Sequence, residues 1–192
     1  MLKNIVRASA MSGVIATLAV WAPTARTAEP GDRNDPRQGQ VTMAFSGSMV
    51  PTAIDVQTDT ITDEELLAGT GSLGPFTLRK LRTDETSPQF FGACGSGFGP
   101  TLRVTAGGGV FRFEDGSLLT VTVTDGVLCV DFDHLVGHLT ETYQITGGTG
   151  RFKGATGGFQ SAGELNPVMF SASNAAVLLT NVGTLKGTVR VP

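Results

Sequence analysis

Apolar and polar residues alternate with a period of two along most of the chain beyond residue 40. Val41, Met43, Phe45 and Met49 alternate with Thr42, Ala44, Ser46 and Ser48, and a two-residue repeat places the two sets on opposite faces of a strand. Similar patterns predict strands over residues 69–81 (with a Gly74-Pro75 interruption), 109–113, 117–124, 127–132, 139–146, 159–165, 168–172, 176–180 and 183–191. Hairpin turns are expected at Glu114-Asp115-Gly116 and at Asp125-Gly126, because aspartate–glycine pairs suit tight reversals. Thr62-Asp63-Glu64-Glu65 reads as the opening of a short helical turn, and residues 82–88 as a polar loop. Residues 89–100 are glycine-rich around Cys94 and aromatic at Phe90, Phe91 and Phe98. The sum is roughly eight to ten strands and no long amphipathic helix. The expected fold is all-β, a single closed antiparallel β-barrel of about eight strands. Such a barrel either fills with side chains or holds one small ligand.

One connection stands out. Between the strand at 139–146 and the strand at 159–165 lie Gly147, Gly148, Thr149, Gly150, Arg151, Phe152, Lys153, Gly154, Ala155, Thr156, Gly157 and Gly158. Glycine tolerates positive φ and close backbone approach, so this composition predicts a tight structural corner. It lacks the G-x-x-x-x-G-K-[ST] spacing and the following helix that a phosphate loop needs. Arg151 and Lys153 are then expected in solvent.

Composition agrees. The 192 residues include 26 glycines, well above the roughly 7% of average proteins. The N-terminal 28 residues have the order of an export signal: Lys3 and Arg7, an apolar run from Ala8 to Ala22, then a small polar segment. The apolar run is short for a membrane span, which takes about 20 residues. No small-residue cleavage motif is clean, so cleavage and an uncleaved anchor stand as alternatives, with cleavage and a secreted or periplasmic product the expectation. Residues 29–40 are polar with two prolines and read as a flexible linker. That leaves 41–192 for the barrel. Loss of residues 1–28 removes three cations and no acid, doubling the net charge of −3. The remaining basic residues do not cluster, which excludes a nucleic-acid footprint.

Few residues have the character of a reactive site. Cys94 and Cys129 are the only cysteines, either bridged in an oxidising compartment or two partly buried thiols. Asp131, Asp133, His134 and His138 have metal-ligand character, but Gly137 and the apolar residues among them read as a polar hairpin tip, so no metal is assigned. No nucleophile elbow occurs, and nothing implies a cofactor. Glu141 is the candidate for chemistry. On one strand it shares a face with Leu139, Tyr143 and Ile145, where an acid in a pocket is placed for acid/base work and the Tyr143 hydroxyl can orient a ligand.

The run I-x-G-G-T-G-R-F-x-G-A-T-G from Ile145 to Gly157 resembles the signature of the allene oxide cyclase barrel family, which shares its barrel with the dirigent proteins. A looser similarity covers Gly71-Ser72-Leu73-Gly74-Pro75-Phe76 and residues 111–120. The resemblance implies a calycin-like barrel with an apolar interior. It implies an exported protein that holds a small apolar ligand, with two alternatives. One is a cofactor-free isomerase or cyclase acting on an oxidised lipid or phenolic. The other is an envelope or extracellular interaction module. The glycine motif marks the scaffold and carries no catalytic residue.

Overall fold

A computed structural model of the protein describes residues 37–87, 94, 99, 101–131 and 133–192. The expected signal segment and most of the linker lie outside these residues. Eight strands follow one another: β1 (Arg37–Asp55), β2 (Thr60–Gly71), β3 (Phe76–Glu85), β4 (Thr101–Phe113), β5 (Leu118–Asp131), β6 (Val136–Gly148), β7 (Thr156–Phe170) and β8 (Ala176–Val191). Each pairs antiparallel with the next, and β8 pairs with β1 to close the barrel. Closure leaves no unpaired strand edge. Among the described residues the only helical element is a 3-10 turn, Gly150–Phe152.

Side chains pointing inward form layers. Toward the end that carries the glycine corner, Met43, Phe45, Phe76, Phe111, Phe113 and Phe159 belong to one large apolar cluster. Its rings interlock, with Phe76 and Phe159 centred 5.4 and 5.8 Å from Phe111. Burying each such ring contributes about 1.5–3 kcal/mol. Toward the opposite end, Met49, Val104, Leu128, Leu139 and Leu165 form a smaller cluster. Cys94 and Cys129 are joined by a disulfide with Cα atoms 5.8 Å apart, tying the β3–β4 connection to β5. By chain entropy this bond contributes roughly 3–4 kcal/mol.

Several expectations need correction. Thr62-Asp63-Glu64-Glu65 is not a helical turn: it lies within β2, where Asp63 and Glu65 face inward opposite Arg82 and Lys80 of β3. Arg82 therefore belongs to a strand rather than a loop, and it is fully buried. Asp125-Gly126 is not a hairpin but lies within β5, paired with Thr142 and Glu141 just after a bulge at Thr124, where the pairing with β6 shifts register. A bulge kinks a strand without ending it. The segments at 168–172, 176–180 and 183–191 are the end of β7 and a single β8, so the strand count is eight. The barrel begins before Val41, since Arg37–Gln40 already pair with Thr188–Val191.

Candidate functional site

Between the two apolar clusters the barrel interior is ionic. Asp63 and Glu65 from β2, Lys80, Arg82 and Asp84 from β3, and Glu141 from β6 are all at most 4% exposed. Local sequence explains the placement. Phe76 and Leu78 face inward in β3, and the two-residue period carries Lys80, Arg82 and Asp84 onto the same face. The intervening Leu81, like Leu66 between the inward-facing Glu65 and Leu67 on β2, is driven outward and is about half exposed. The usual apolar-in, polar-out order is inverted at these positions.

Two cations serve four carboxylates. Lys80 Nζ lies 2.5 Å from Glu141 Oε2 and 3.0 Å from Glu65 Oε1, and it donates to the Tyr143 hydroxyl at 3.1 Å. Arg82 Nη1 reaches Glu65 Oε1 at 3.1 Å, while its Nη2 holds both Asp63 Oδ2 at 3.0 Å and Asp84 Oδ2 at 2.9 Å. Asn181 Nδ2 donates to the other oxygen of Glu65 at 2.8 Å. Tyr143 Oη and Ser161 Oγ both donate to Glu141 Oε2. That oxygen thus takes three donors, whereas Glu141 Oε1, Asp84 Oδ1, Asn181 Oδ1 and Arg82 Nε are buried without a hydrogen-bond partner among the described residues.

The electrostatics follow from burial and this shortage of positive charge. Burial opposes the charged form of Lys80, yet Tyr143, Glu65 and Glu141 outweigh it and hold the ammonium above its ordinary range. Arg82 is likewise disfavoured by burial and more than compensated by Glu65, Asp84, Glu141 and Asp63. For Glu65, burial favours the neutral acid, but Lys80 and Arg82 prevail and lower its pKa. Burial raises Asp63, only partly opposed by Arg82. It pushes Asp84 up to about 7, against Arg82 and with the help of Asp63 and Glu141. Burial also raises the Tyr143 hydroxyl. Desolvation and neighbouring charge are the two causes throughout.

Glu141 and Tyr143 thus sit where strand alternation puts them, facing inward with Leu139 and Ile145. Their surroundings differ from the expected apolar pocket: Glu141 is ion-paired, and the ring of Tyr143 lies 5.7 Å from the Lys80 ammonium. Lys80, Arg82, Asp63, Glu65, Asp84 and Asn181 were not singled out from sequence. The signal for Lys80, Arg82 and Asp84 is the continuous face from Phe76 through Leu78; Asp63 and Glu65 share the face of Leu67 on β2, and Asn181 that of Leu185 on β8.

The glycine corner is a clasp at one end of the barrel. Gly147 and Gly148 end β6, Gly150 and Gly154 have positive φ of 57° and 75°, and Phe152 is buried among the aromatic rings. Gly157, with φ of 123°, lies so close to β8 that an added Cβ would meet Thr188 O at 2.2 Å. The Thr149 N–H donates to Leu118 O at 2.8 Å, and the Leu118 N–H donates to the Thr149 hydroxyl at 3.1 Å. Arg151 is not simply solvated. It pairs with Asp115 at 3.2 Å, donates to Leu73 O at 2.5 Å and stacks over Phe113 and Phe152 at 4.8 and 4.7 Å.

The aspartate–histidine segment forms the β5–β6 turn. Asp131 accepts the N–H groups of Asp133 and His134, and His134 Nδ1 lies 2.7 Å from Asp131 Oδ2. His138 lies within β6, paired with Cys129. Among the described residues no set of three or more acids, histidines or cysteines gathers as a metal site, and no helix is long and apolar enough to cross a membrane.

Fold and interior together define a closed eight-stranded antiparallel β-barrel with an ionic layer between two apolar ones. Compared with known proteins, the chain matches no family model and no curated relative.

Proposed function

We propose that this chain is an exported, non-catalytic barrel that acts as an interaction module through its outer surface. The observation supporting this reading is an interior occupied by the protein's own side chains. Arg82, Lys80, Phe111 and Phe159 are among its largest fully buried residues, and eight strands give a barrel just wide enough to be filled this way. Lys80 and Tyr143 are both held in their protonated forms, which suits a structural ion pair better than proton transfer. An ionic centre is also a poor environment for a small apolar ligand. Open hollows of about 320–350 Å³ are bordered by residues such as Gln160, Thr184 and Lys186, or Ser46 and Arg79, and the first of them also reaches Glu141 and Ser161. Export rests on the basic–apolar–polar order of residues 1–28.

One observation favours the runner-up, a cofactor-free isomerase or cyclase of the kind the glycine motif resembles. Asp84 is a buried acid with a pKa of about 7, and perturbed acids cluster at functional sites. Incubation with an unsaturated fatty-acid epoxide separates the readings. The interaction module leaves the spontaneous product mixture and its chirality unchanged. An enantiomerically enriched cyclic product, lost in Asp84→Asn or Glu141→Gln, would overturn it. Native mass spectrometry of protein from its natural compartment adds a second check, because a retained ligand appears as added mass.

A further inference from the structure

The ionic layer has more carboxylates than its two cations can neutralise, and part of the excess gathers on one nitrogen. Asp63 Oδ2 and Asp84 Oδ2 lie 3.0 and 2.9 Å from Arg82 Nη2, and both residues are at most 4% exposed. Asp63 pairs with Arg82 across β2 and β3, and Asp84 takes the next inward position of β3. The two acids are therefore diagonal neighbours on the inner face. Like charges sharing one cation at this depth do not both stay ionised cheaply. Asp84 also acts on Asp63 through a side-chain hydrogen bond, which two carboxyls make only when one is protonated. Burial raises both acids, Asp84 to about 7, against Arg82 and with Asp63 adding to the rise.

The charged groups facing this pair are Glu65 on β2, Lys80 and Arg82 on β3 and Glu141 on β6, with the Tyr143 hydroxyl beside Glu141. From β1, β4, β5, β7 and β8 the inward residues are Met49, Val104, Leu128, Leu165 and Asn181, none of which titrates. Glu64, Glu85 and Arg103 take the alternate, outward positions. Residues 88–100 contain no acid, base or tyrosine.

The barrel wall is irregular at the same level. β2 and β3 pair without a break from Thr60 and Glu85 to Gly69 and Phe76, but both outer neighbours slip beside the two acids. The β1–β2 register shifts between Pro51, opposite Asp63, and Ala53, which leaves Thr52 as the extra residue. The β3–β4 register shifts between Thr83 and Asp84, which leaves Thr105 as the extra residue. In both bulges a threonine hydroxyl donates to a carbonyl of the β2–β3 pair: Thr52 Oγ1 to Thr62 O at 3.0 Å and Thr105 Oγ1 to Thr83 O at 3.1 Å. Thr62 and Thr83 are themselves partners. The β2–β3 pair is thus bounded at the acids by two interrupted ladders, the places where local opening breaks least backbone pairing.

We infer that Asp63 and Asp84 share one proton in the folded barrel and form a pH-operated latch, whose release frees the outer ends of β2 and β3 from β1 and β4 at the two bulges. The moving parts are residues 60–63 and 82–85. The inference goes beyond the interaction-module reading and holds whatever the outer surface binds. Because both acids are raised, the latch is closed in acid and loosens as pH climbs through about 7. One proton kept closed and lost open makes opening about tenfold easier per pH unit until the pair itself titrates. The titration steps belong to the pair rather than to either acid.

The test uses the full chain. Carboxyl-carbon NMR should show the Asp63 and Asp84 signals moving together in a step near neutral pH. Asp63→Asn should lower the Asp84 midpoint by at least about one pH unit, a tenfold loss of proton affinity. Amide hydrogen exchange, corrected for the intrinsic rate, should show residues 60–63 and 82–85 losing at least about tenfold protection between about pH 5.5 and pH 8.5. Amides of β7 and β8 around Ser161 and Leu185 should keep theirs. Asp84→Asn supplies a hydrogen-bond donor at every pH, so its protection should change less than about threefold. His134, raised by its hydrogen bond to Asp131, titrates in the same window, and His134→Asn should leave the step in place. Acids that titrate below about pH 5, or independently of each other, overturn the proposal. So does protection that falls equally around the whole barrel. A step that follows sodium or potassium concentration instead of pH also overturns it, by putting a cation in the proton's place. These wild-type readings decide the matter even where a variant fails to fold.

Discussion

Lys80 and Glu141, 61 residues apart in sequence, meet at 2.5 Å inside the barrel. Their strands, β3 and β6, are not neighbours in the sheet, so this contact crosses the interior rather than running along the wall. It ties distant parts of the barrel wall together through the ionic layer.

Breaking this pair from one side should be costly. Lys80→Met leaves Glu141 and Glu65 without their shared cation, and an uncompensated buried charge typically costs about 3–5 kcal/mol. Lys80→Met combined with Glu141→Leu should lose less than the sum of the two single changes, because the second removes the stranded charge. Chemical denaturation of the four proteins in a double-mutant cycle measures the difference. Strict additivity would mean that the two groups do not interact.

Stability should depend on pH through Asp84. Its pKa rises from 3.8 in the ordinary state to about 7 in the fold, mainly because it is buried. A raised acid binds its proton more tightly folded than unfolded, so its contribution is complete below about pH 4. That contribution is lost as pH climbs through about 7. Glu65, whose pKa is lowered, acts in the opposite direction: its contribution falls away in acid. The difference in urea midpoint between wild type and Asp84→Asn should therefore move against wild type between pH 4 and pH 7. A difference that stays flat across this window would place the Asp84 proton elsewhere.

The glycine corner should fail by steric contact at Gly148. Its backbone is not in the positive-φ region, but an added Cβ would lie 2.5 Å from Phe152 O and 2.8 Å from Leu118 O. Gly148→Val should lower stability by about 1–3 kcal/mol, the usual cost of overpacking. Gly39→Ala is the control, since nothing lies within 4 Å of its added Cβ. Melting temperatures of the two variants check the contrast.

The bond between Cys94 and Cys129 should be seen as a two-dalton gain in intact mass on reduction. Its replacement by two serines should cost roughly 2–4 kcal/mol. Alkylation before and after reduction decides whether the thiols are free, and urea unfolding gives the stability change.

Much of the fold is legible in the order of residues alone. The alternation of Val41, Met43 and Phe45 defines a strand with one inward face, and Leu139, Glu141, Tyr143 and Ile145 share a face for the same reason. Glycine spacing locates the corner, because the backbone there requires residues without a Cβ. These features are local, set by a period of two and by sterics.

What the tertiary structure decided is where the charges go. Asp63 and Glu65 read as part of a helical turn and Arg82 as part of a polar loop, and nothing local marks Lys80 for the interior, where isolated charge is prohibitive. They are tolerable inside only because β2, β3 and β6 bring opposite charges within hydrogen-bond reach at one level of a closed barrel. Asp125-Gly126 likewise became part of a bulged strand rather than a turn because β5 continues its pairing with β6 on both sides. Alternation fixes which residues share a face, but pairing between distant strands determines which face is the inside and what a buried charge will meet there.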